Sequence, residues 1–424
     1  RLSRRTLADW LTWQERLHPA EIELGLERIR TVLERMGLLR PCERVFTVGG
    51  TNGKGSCVAT LEALCLETGH RTGAYTSPHL LRYNERVRVD GVEADDETLV
   101  GAFEAVDAAR GEISLTYFEF GTAAALEIFR RHGVHTAVLE VGLGGRLDAV
   151  NAVEPDAAIV TSVGLDHMEW LGPDRDSIGR EKGGIFRPGK PAVIGDRAPP
   201  HSLLAAAGPG ALRLGVDFDW TESPAGWCWQ DGARMLPGLP GATLPASALK
   251  DNAACAIAGF LAMERTPLAP GTAARALRRI RLAGRMQRVP GEVEWWLDVA
   301  HNPDAARVLA QALAAAPAHG RTWCVLGMLE DKDAGAVAEA LAESVDGWFI
   351  ASLEPPRGLA AEALQTRVAG ALRSPATCAA SVPEACSAAA AAARPGDRVV
   401  VCGSFHAVGP AMEWLGLYCA PQTR

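Results

Sequence analysis

The stretch VGGTNGKGSC, Val48 to Cys57, constrains this chain more than any other. Four of its ten residues are glycine, one is lysine and two carry hydroxyls. The apolar run RVFTVGG (44–50) leads into it, and the helically spaced CVATLEALCLETG (57–69) leads out. Strand, glycine loop and helix, in that order, is the context a phosphate-binding loop requires. Glycines let the backbone approach oxygens closely, amide N–H groups gather at the helix start, and Lys54 neutralises charge. The rival reading, a tight turn with a chance lysine, does not need the flanking strand and helix. The loop still departs from the common G-x-x-x-x-G-K-[ST] pattern, where a hydroxyl directly after the lysine holds magnesium. Gly55 stands in that place and Ser56 comes one position late. A metal beside this loop must therefore take its ligands from elsewhere in the chain.

HTAVLEVG (135–142), DAAIVTSVG (156–164) and KPAVIG (190–195) are further apolar runs. They are continuous rather than alternating, which predicts a parallel sheet covered on both faces. The expected fold is α/β: an N-terminal, doubly wound, mostly parallel sheet carrying the P-loop. Residues 196–245 differ, with Pro199, Pro200, Pro209, Pro224, Pro237 and Pro240 among Trp220, Trp227 and Trp229. They read as turns and short antiparallel strands, a small accessory β region. ASALKDNAACAIAGFLAME (246–264) returns to helix. Beyond RLAGRMQRVPGE (281–292), four runs, VEWWLDVAH (293–301), RTWCVLGM (321–328), DGWFIAS (346–352) and DRVVVCGS (397–404), alternate with Ala-rich helical stretches. That rhythm predicts a second, Rossmann-like α/β domain. At 424 residues the chain exceeds one ordinary core. The expected division is 1–289 and 290–424, with Pro290–Gly291 as hinge.

A net charge of −8, with 48% hydrophobic and 22% charged residues, describes a soluble globular protein without the basic face of a nucleic-acid binder. Ten scattered cysteines, with no C-x-x-C, read as buried thiols of a reducing cytosol. No apolar run reaches membrane-spanning length, and the N-terminus lacks the apolar core of a signal peptide. A cytoplasmic monomer acting on small molecules, with neither nucleic-acid nor membrane partner, is expected.

Candidate metal ligands stand at predicted strand ends, where open α/β sheets gather their ligands. Ser77 closes YTS, Glu140 lies late in TAVLEVGL, and Asp166 and His167 follow TSVG. Glu140 is the most informative, because a carboxylate inside an apolar strand is costly without a cation. Its structural alternative is an ion pair with Arg146. Ser77 could equally be a cap and His167 a turn residue. Lys182, in SIGREKGGIFRPGKPAV (177–193), would ordinarily be solvated.

Together GGTNGKGS, TSPHLLRYNERVRVDG, YFEFGTAAALEIF, LEVGLGGRLDAVN, TSVGLDHMEWLG, IGREKGGIFRPGKP, LDVAHNPDAA and VCGSFHAV resemble, in order and over nearly the whole chain, the folate branch of the Mur ligase superfamily. These are the bacterial bifunctional dihydrofolate synthases/folylpolyglutamate synthases. The resemblance implies an ATP-dependent carboxylate–amine ligase of folate biosynthesis and one-carbon metabolism. It would add L-glutamate to dihydropteroate, then to tetrahydrofolates, through an acyl phosphate. It implies Ser77, Glu140 and His167 as Mg²⁺ ligands, and a carbamylated Lys182 as ligand to a second Mg²⁺. Lys54, His167 and Lys182 become the catalytic group. Thr51, Asn52, Gly53, Lys54, Gly55, Ser56, Asn252, Arg285, Asp298 and His301 become ATP contacts. Leu17, His18, Pro19, Thr116, Tyr117, Phe118, Glu119, Leu147, Asp148 and Ala149 become walls for the pterin, with Phe118 as stacking partner. Core aromatics are the plain alternative for YFEF. Cys57 and Gly184 vary from the family's usual residues. ATP is expected between the domains, with a closing motion that excludes water. The rivals are a single-activity folylpolyglutamate synthase, a cell-wall precursor ligase and a nucleotide-dependent switch. For the cell-wall ligase, a loop starting near residue 48 leaves no room for the extra N-terminal domain.

Overall fold

The computed structural model describes residues 5–20, 22–241, 244, 246–264, 267–354 and 357–417. The chain forms two compact units, Arg1–Arg281 and Leu282–Arg424.

The first unit is built on eight strands: β1 (Arg44–Gly49), β2 (Thr72–Tyr75), β3 (Val87–Val89), β4 (Val92–Glu93), β5 (Thr136–Glu140), β6 (Ala157–Val160), β7 (Ala192–Ile194) and β8 (Leu212–Arg213). Their order is β4-β3-β2-β5-β1-β6-β7-β8. From β2 to β8 every neighbouring pair is parallel, whereas β3 and β4 turn back as an antiparallel edge. All five residues of β5 are buried, as expected of a strand covered on both faces. Ala137 and Leu139 join Phe103, Phe120 and Phe129 in one core cluster, while Ala158, Val160 and Ile194 join Ile178 and Ile185 in another. The helix Lys54–Glu67 is apolar nearly all round, and it packs against the helices Ser247–Met263 and Pro270–Arg279 as well as β5.

The proline-rich region contains β9 (Phe218–Ser223), β10 (Gly226–Asp231) and β11 (Met235–Leu239), a separate antiparallel sheet as expected. Trp229 anchors it, donating from its indole to Ala254 O at 3.1 Å. The helix His201–Ala207 in the same region was not expected from its composition.

The second unit holds β12 (Gln287–Val289), β13 (Glu294–Leu297), β14 (Thr322–Leu326), β15 (Gly347–Ala351), β16 (Ala376–Ala379) and β17 (Arg398–Cys402). The order is β12-β13-β17-β14-β15-β16, parallel except for β12. The expected boundary at 289/290 moves to 281/282. Its physical reason is the β12–β13 hairpin, in which Gln287 pairs with Leu297 and Val289 with Trp295. Pro290–Gly291 belongs to the turn of that hairpin and is not a hinge. Among the described residues no helix is long and apolar enough to cross a membrane.

Phe129 is fully buried, and its ring lies where a side chain on Gly73 of β2 would project. Phe129→Ala should cost about 3–5 kcal/mol, read as a lower midpoint for the first unit in urea unfolding. An unchanged midpoint would contradict this packing.

Candidate active site

The glycine loop is held by the chain that leaves β6. Thr51 N donates to Ser162 O at 2.8 Å, and Asn52 N donates to Ser162 Oγ at 3.0 Å. Thr161 Oγ1 donates to Asn52 O at 2.6 Å, and Gly164 N donates to Thr51 Oγ1 at 2.9 Å. Two glycines make this lacing possible. Gly50 has φ 144°, and a Cβ there would stand 1.9 Å from Thr161 Oγ1. Gly53 has φ 85°, and a Cβ there would stand 2.3 Å from Asn252 Oδ1. Asn252 Nδ2 donates to Ser56 Oγ at 3.2 Å, and Ser56 Oγ donates to Gly53 O at 3.1 Å. Ser56 is therefore folded into the helix start and does not replace the hydroxyl missing after Lys54. Lys54 Nζ donates to Gly50 O at 3.0 Å and Thr51 O at 3.3 Å, which holds its charge over the loop.

Sheet register brings two of the metal candidates, Ser77 and Glu140, to the same edge. Val48 pairs with Glu140, and Tyr75 pairs with Leu139, so β1, β2 and β5 end nearly level. Ser77, two residues beyond β2, donates its amide to Glu140 Oε2 at 3.1 Å. Glu140 is only 3% exposed. Its expected rival partner is taken: Arg146 pairs with Glu181 at 2.9 Å. His167 follows β6 and caps the short helix Met168–Leu171 with φ 50° and ψ 40°. A non-glycine residue held in that left-handed region marks a strained and commonly functional position. Among the described residues no three His, Cys, Asp or Glu side chains gather as a metal site. A cation here would rely on one carboxylate, the Ser77 hydroxyl, one imidazole and the oxygens of a bound phosphate. That donor set fits a hard divalent ion.

Lys182 lies on the last turn of the helix Arg175–Gly183 and is buried. Burial pushes its ammonium down to about 7, and the charge of Lys54 adds to this, while Asp166 and Asp148 oppose it. Asp148 is pushed up to about 6, chiefly by burial, against the pull of backbone amides and Lys54. Its carboxylate accepts from Leu143 N at 2.8 Å and Val150 N at 3.0 Å, so it shapes the 143–150 turn. Lys54, Asp148 and Asp166 thus all act on Lys182.

The expected pterin wall divides by role. Thr116 and Glu119 form a capping box on the helix Tyr117–Arg131, and Glu119 also pairs with Arg28 at 3.2 Å. Both serve the helix start, whose amides need acceptors. Tyr117 and Phe118, in the first turn, are only half-buried. The Phe118 ring packs on Tyr75 with centroids 5.9 Å apart. His18 Nδ1 lies 3.0 Å from Ala20 O and its Nε2 3.4 Å from Glu23. Leu17 packs on the core edge, Pro19 is exposed, Leu147 is half-buried and Ala149 is buried. Thr161, Ser162 and Tyr75 escaped the sequence reading. Two hydroxyls directly after an apolar strand were the available signal for the first two.

In the second unit, Asp298 follows β13 and accepts from Met286 N and Ala300 N, each at 2.8 Å. Burial raises its carboxyl to about 6. The Arg285 guanidinium stands 5.7 Å from the Phe405 ring centroid, and the His301 ring 6.4 Å from the same ring. Arg285, Asp298 and His301 are thereby gathered near the carboxyl ends of β13 and β17, with Phe405 as an unforeseen centre.

A phosphate loop at the carboxyl edge of a parallel sheet, followed by a separate Rossmann-like unit, defines a Mur-type ligase. The Mur ligase middle domain family matches residues 48–199, and the Mur ligase, glutamate ligase domain family matches 284–405. The dihydrofolate synthase/folylpolyglutamate synthase of Escherichia coli K12 is 44% identical, over 96% of this chain and 95% of its own. The solved structure of E. coli FolC in complex with DHPP and ADP superposes with TM-score 0.92 at 43% identity, covering 97% of this chain and 98% of that one. The Yersinia pestis bifunctional enzyme complexed with AMPPNP and Mn gives 0.90 at 46% identity, over the same shares. The chain belongs to the dihydrofolate synthase/folylpolyglutamate synthase family.

Gly53→Ala combines a disfavoured φ with overlap on Asn252, so its Kd for ADP by calorimetry should rise about tenfold or more. An unaltered Kd would remove this loop from the nucleotide site.

Proposed function

We propose that this chain is an ATP-dependent ligase that joins L-glutamate to dihydropteroate, giving dihydrofolate, and to tetrahydrofolates, giving polyglutamates. The observation that carries the reading is the level strand edge where Ser77 bonds Glu140 beside the Lys54 loop. A carboxylate beside a hydroxyl there complements a loop that lacks its own metal-binding hydroxyl.

The substrate carboxylate oxygen attacks the γ-phosphorus of ATP, the bond to the β-phosphate oxygen breaks, and ADP leaves. The amine of glutamate then attacks the acyl carbon of the acyl phosphate. The tetrahedral intermediate loses a proton from nitrogen and expels phosphate, leaving the amide. This chain supplies positioning and electrostatics rather than a covalent nucleophile. Loop amides and Lys54 stabilise charge on the transferred phosphoryl group. Asn252 fixes the loop through Ser56, and Asp298 fixes the 284–286 segment that carries Arg285, a candidate ATP contact with His301. Tyr117, Phe118, Leu147 and Ala149 line the pterin side, and Asp148 holds the turn between them.

Magnesium held by Ser77, Glu140 and His167, with a second ion on a carbamylated Lys182, would neutralise phosphate charge and hold the substrate carboxylate. Lys182 suits carbamylation because burial favours its neutral, nucleophilic amine. After incubation with ¹³C-bicarbonate, a carbamate carbon resonance is expected in the wild-type protein and not in Lys182→Arg. The same spectrum from both proteins would dismiss this ligand.

The activity test is phosphate release with ATP and L-glutamate, comparing dihydropteroate, tetrahydrofolate and no acceptor. Release is expected with either acceptor and only background without one. Lys54→Ala should lower both acceptor-dependent rates by about 10³-fold or more while leaving the fold intact. Release with tetrahydrofolate alone would reduce the chain to a folylpolyglutamate synthase. Acceptor-independent hydrolysis would favour a nucleotide switch.

A further inference from the structure

Gly142 lies two residues beyond Glu140, where the chain leaves β5. Its φ is outside the left-handed region, so no backbone requirement explains the absence of a side chain. The neighbour does. A Cβ on Gly142 would stand 2.7 Å from Phe118 Cζ, 2.9 Å from Cε2 and 3.0 Å from Cε1. The outer edge of the ring therefore lies directly on strand-end backbone. Phe118 also meets Tyr75, with ring planes inclined by 30°. Tyr75 is fully buried and has little freedom to yield. A Cβ on Gly121 would stand 2.4 Å from the Tyr83 hydroxyl and 3.2 Å from the Tyr75 hydroxyl, so that glycine makes room chiefly for Tyr83 beside Tyr75. One glycine and one buried tyrosine thus set the tilt and depth of a half-buried ring.

We propose that Gly142 is a positioning residue for substrate specificity: it seats Phe118 at the depth and tilt that accept a flat, fused heteroaromatic ring. This rests on the reading above that Phe118 faces the pterin. An alanine at 142 cannot coexist with the present ring position, and the helix Tyr117–Arg131 fixes the Phe118 backbone. The ring must leave its present seat, and with it the tilt at which it would meet a stacked substrate. Glu140 ends β5 two residues before Gly142, so the ring's support and the candidate metal ligand are neighbours along the chain.

The test is a double-mutant cycle with Gly142→Ala, Phe118→Leu and the two together, measuring kcat and KM for dihydropteroate and for ATP. Gly142→Ala should raise the dihydropteroate KM about tenfold, comparable to loss of one aromatic stack, with kcat and the ATP KM changed less than about threefold. In the Phe118→Leu background the same alanine should add little, because the shorter side chain vacates the overlapped space. If alanine raises the dihydropteroate KM equally in both backgrounds, Gly142 does not act through Phe118 and the proposal falls. If it lowers kcat alone, the effect belongs to the Glu140 strand end, and the proposal falls likewise. Wild-type dihydropteroate KM in Phe118→Leu would instead remove Phe118 from the pterin site, overturning both the underlying reading and the proposal.

Discussion

The hydrogen bonds between the glycine loop and the segment leaving β6 are the constraint on which the first unit depends. A loop with two left-handed glycines has no ladder of its own to define its path. Thr161, Ser162 and Gly164 supply that path through Thr51 and Asn52, and Asn252 closes it from the helix Ser247–Met263. The cost of fixing so flexible a backbone is met at folding rather than at ligand binding. The arrangement also explains why a phosphate loop can place a glycine after its lysine. Ser56 is committed to the loop's own support, while the hydroxyl and carboxylate that suit a cation stand at the ends of β2 and β5.

The same edge brings charged groups into one another's reach. Lys54 sits over carbonyls, Lys182 is buried with its ammonium disfavoured, and Asp148 is spent on backbone amides. Arg146 and Glu181 satisfy each other. Sites whose acids and bases are shifted by burial and by each other are commonly those that do chemistry. The second unit repeats the pattern more sparingly, with Asp298 buried on two amides beside Arg285, His301 and Phe405.

Much of this was legible in the sequence because buried parallel strands are written as continuous β-branched runs. The runs at 44–50, 135–142, 156–164 and 397–404 all became central strands. Short edges were not legible: β16, Ala376–Ala379, is half exposed and has little apolar signal. Pro290–Gly291 looked like a linker because a hairpin turn and a hinge use the same residues. The site residues were visible as chemistry but not as geometry. Glu140 announced itself by its apolar surroundings, whereas the division of TYFEFG into caps and half-buried rings depends on where the helix begins. Thr161 and Gly142 matter through what they touch, and such contacts become visible only in three dimensions.

The central claim is that Ser77, Glu140 and His167 serve a divalent ion beside a nucleotide cradled by residues 49–54. A crystal grown with manganese and a non-hydrolysable ATP analogue, with anomalous scattering recorded for the metal, tests it most directly. The account predicts a manganese peak bonded to the Glu140 carboxylate, the Ser77 hydroxyl and the His167 imidazole, next to the terminal phosphate. A peak out of reach of those three side chains, with the phosphates still in the loop, would contradict it.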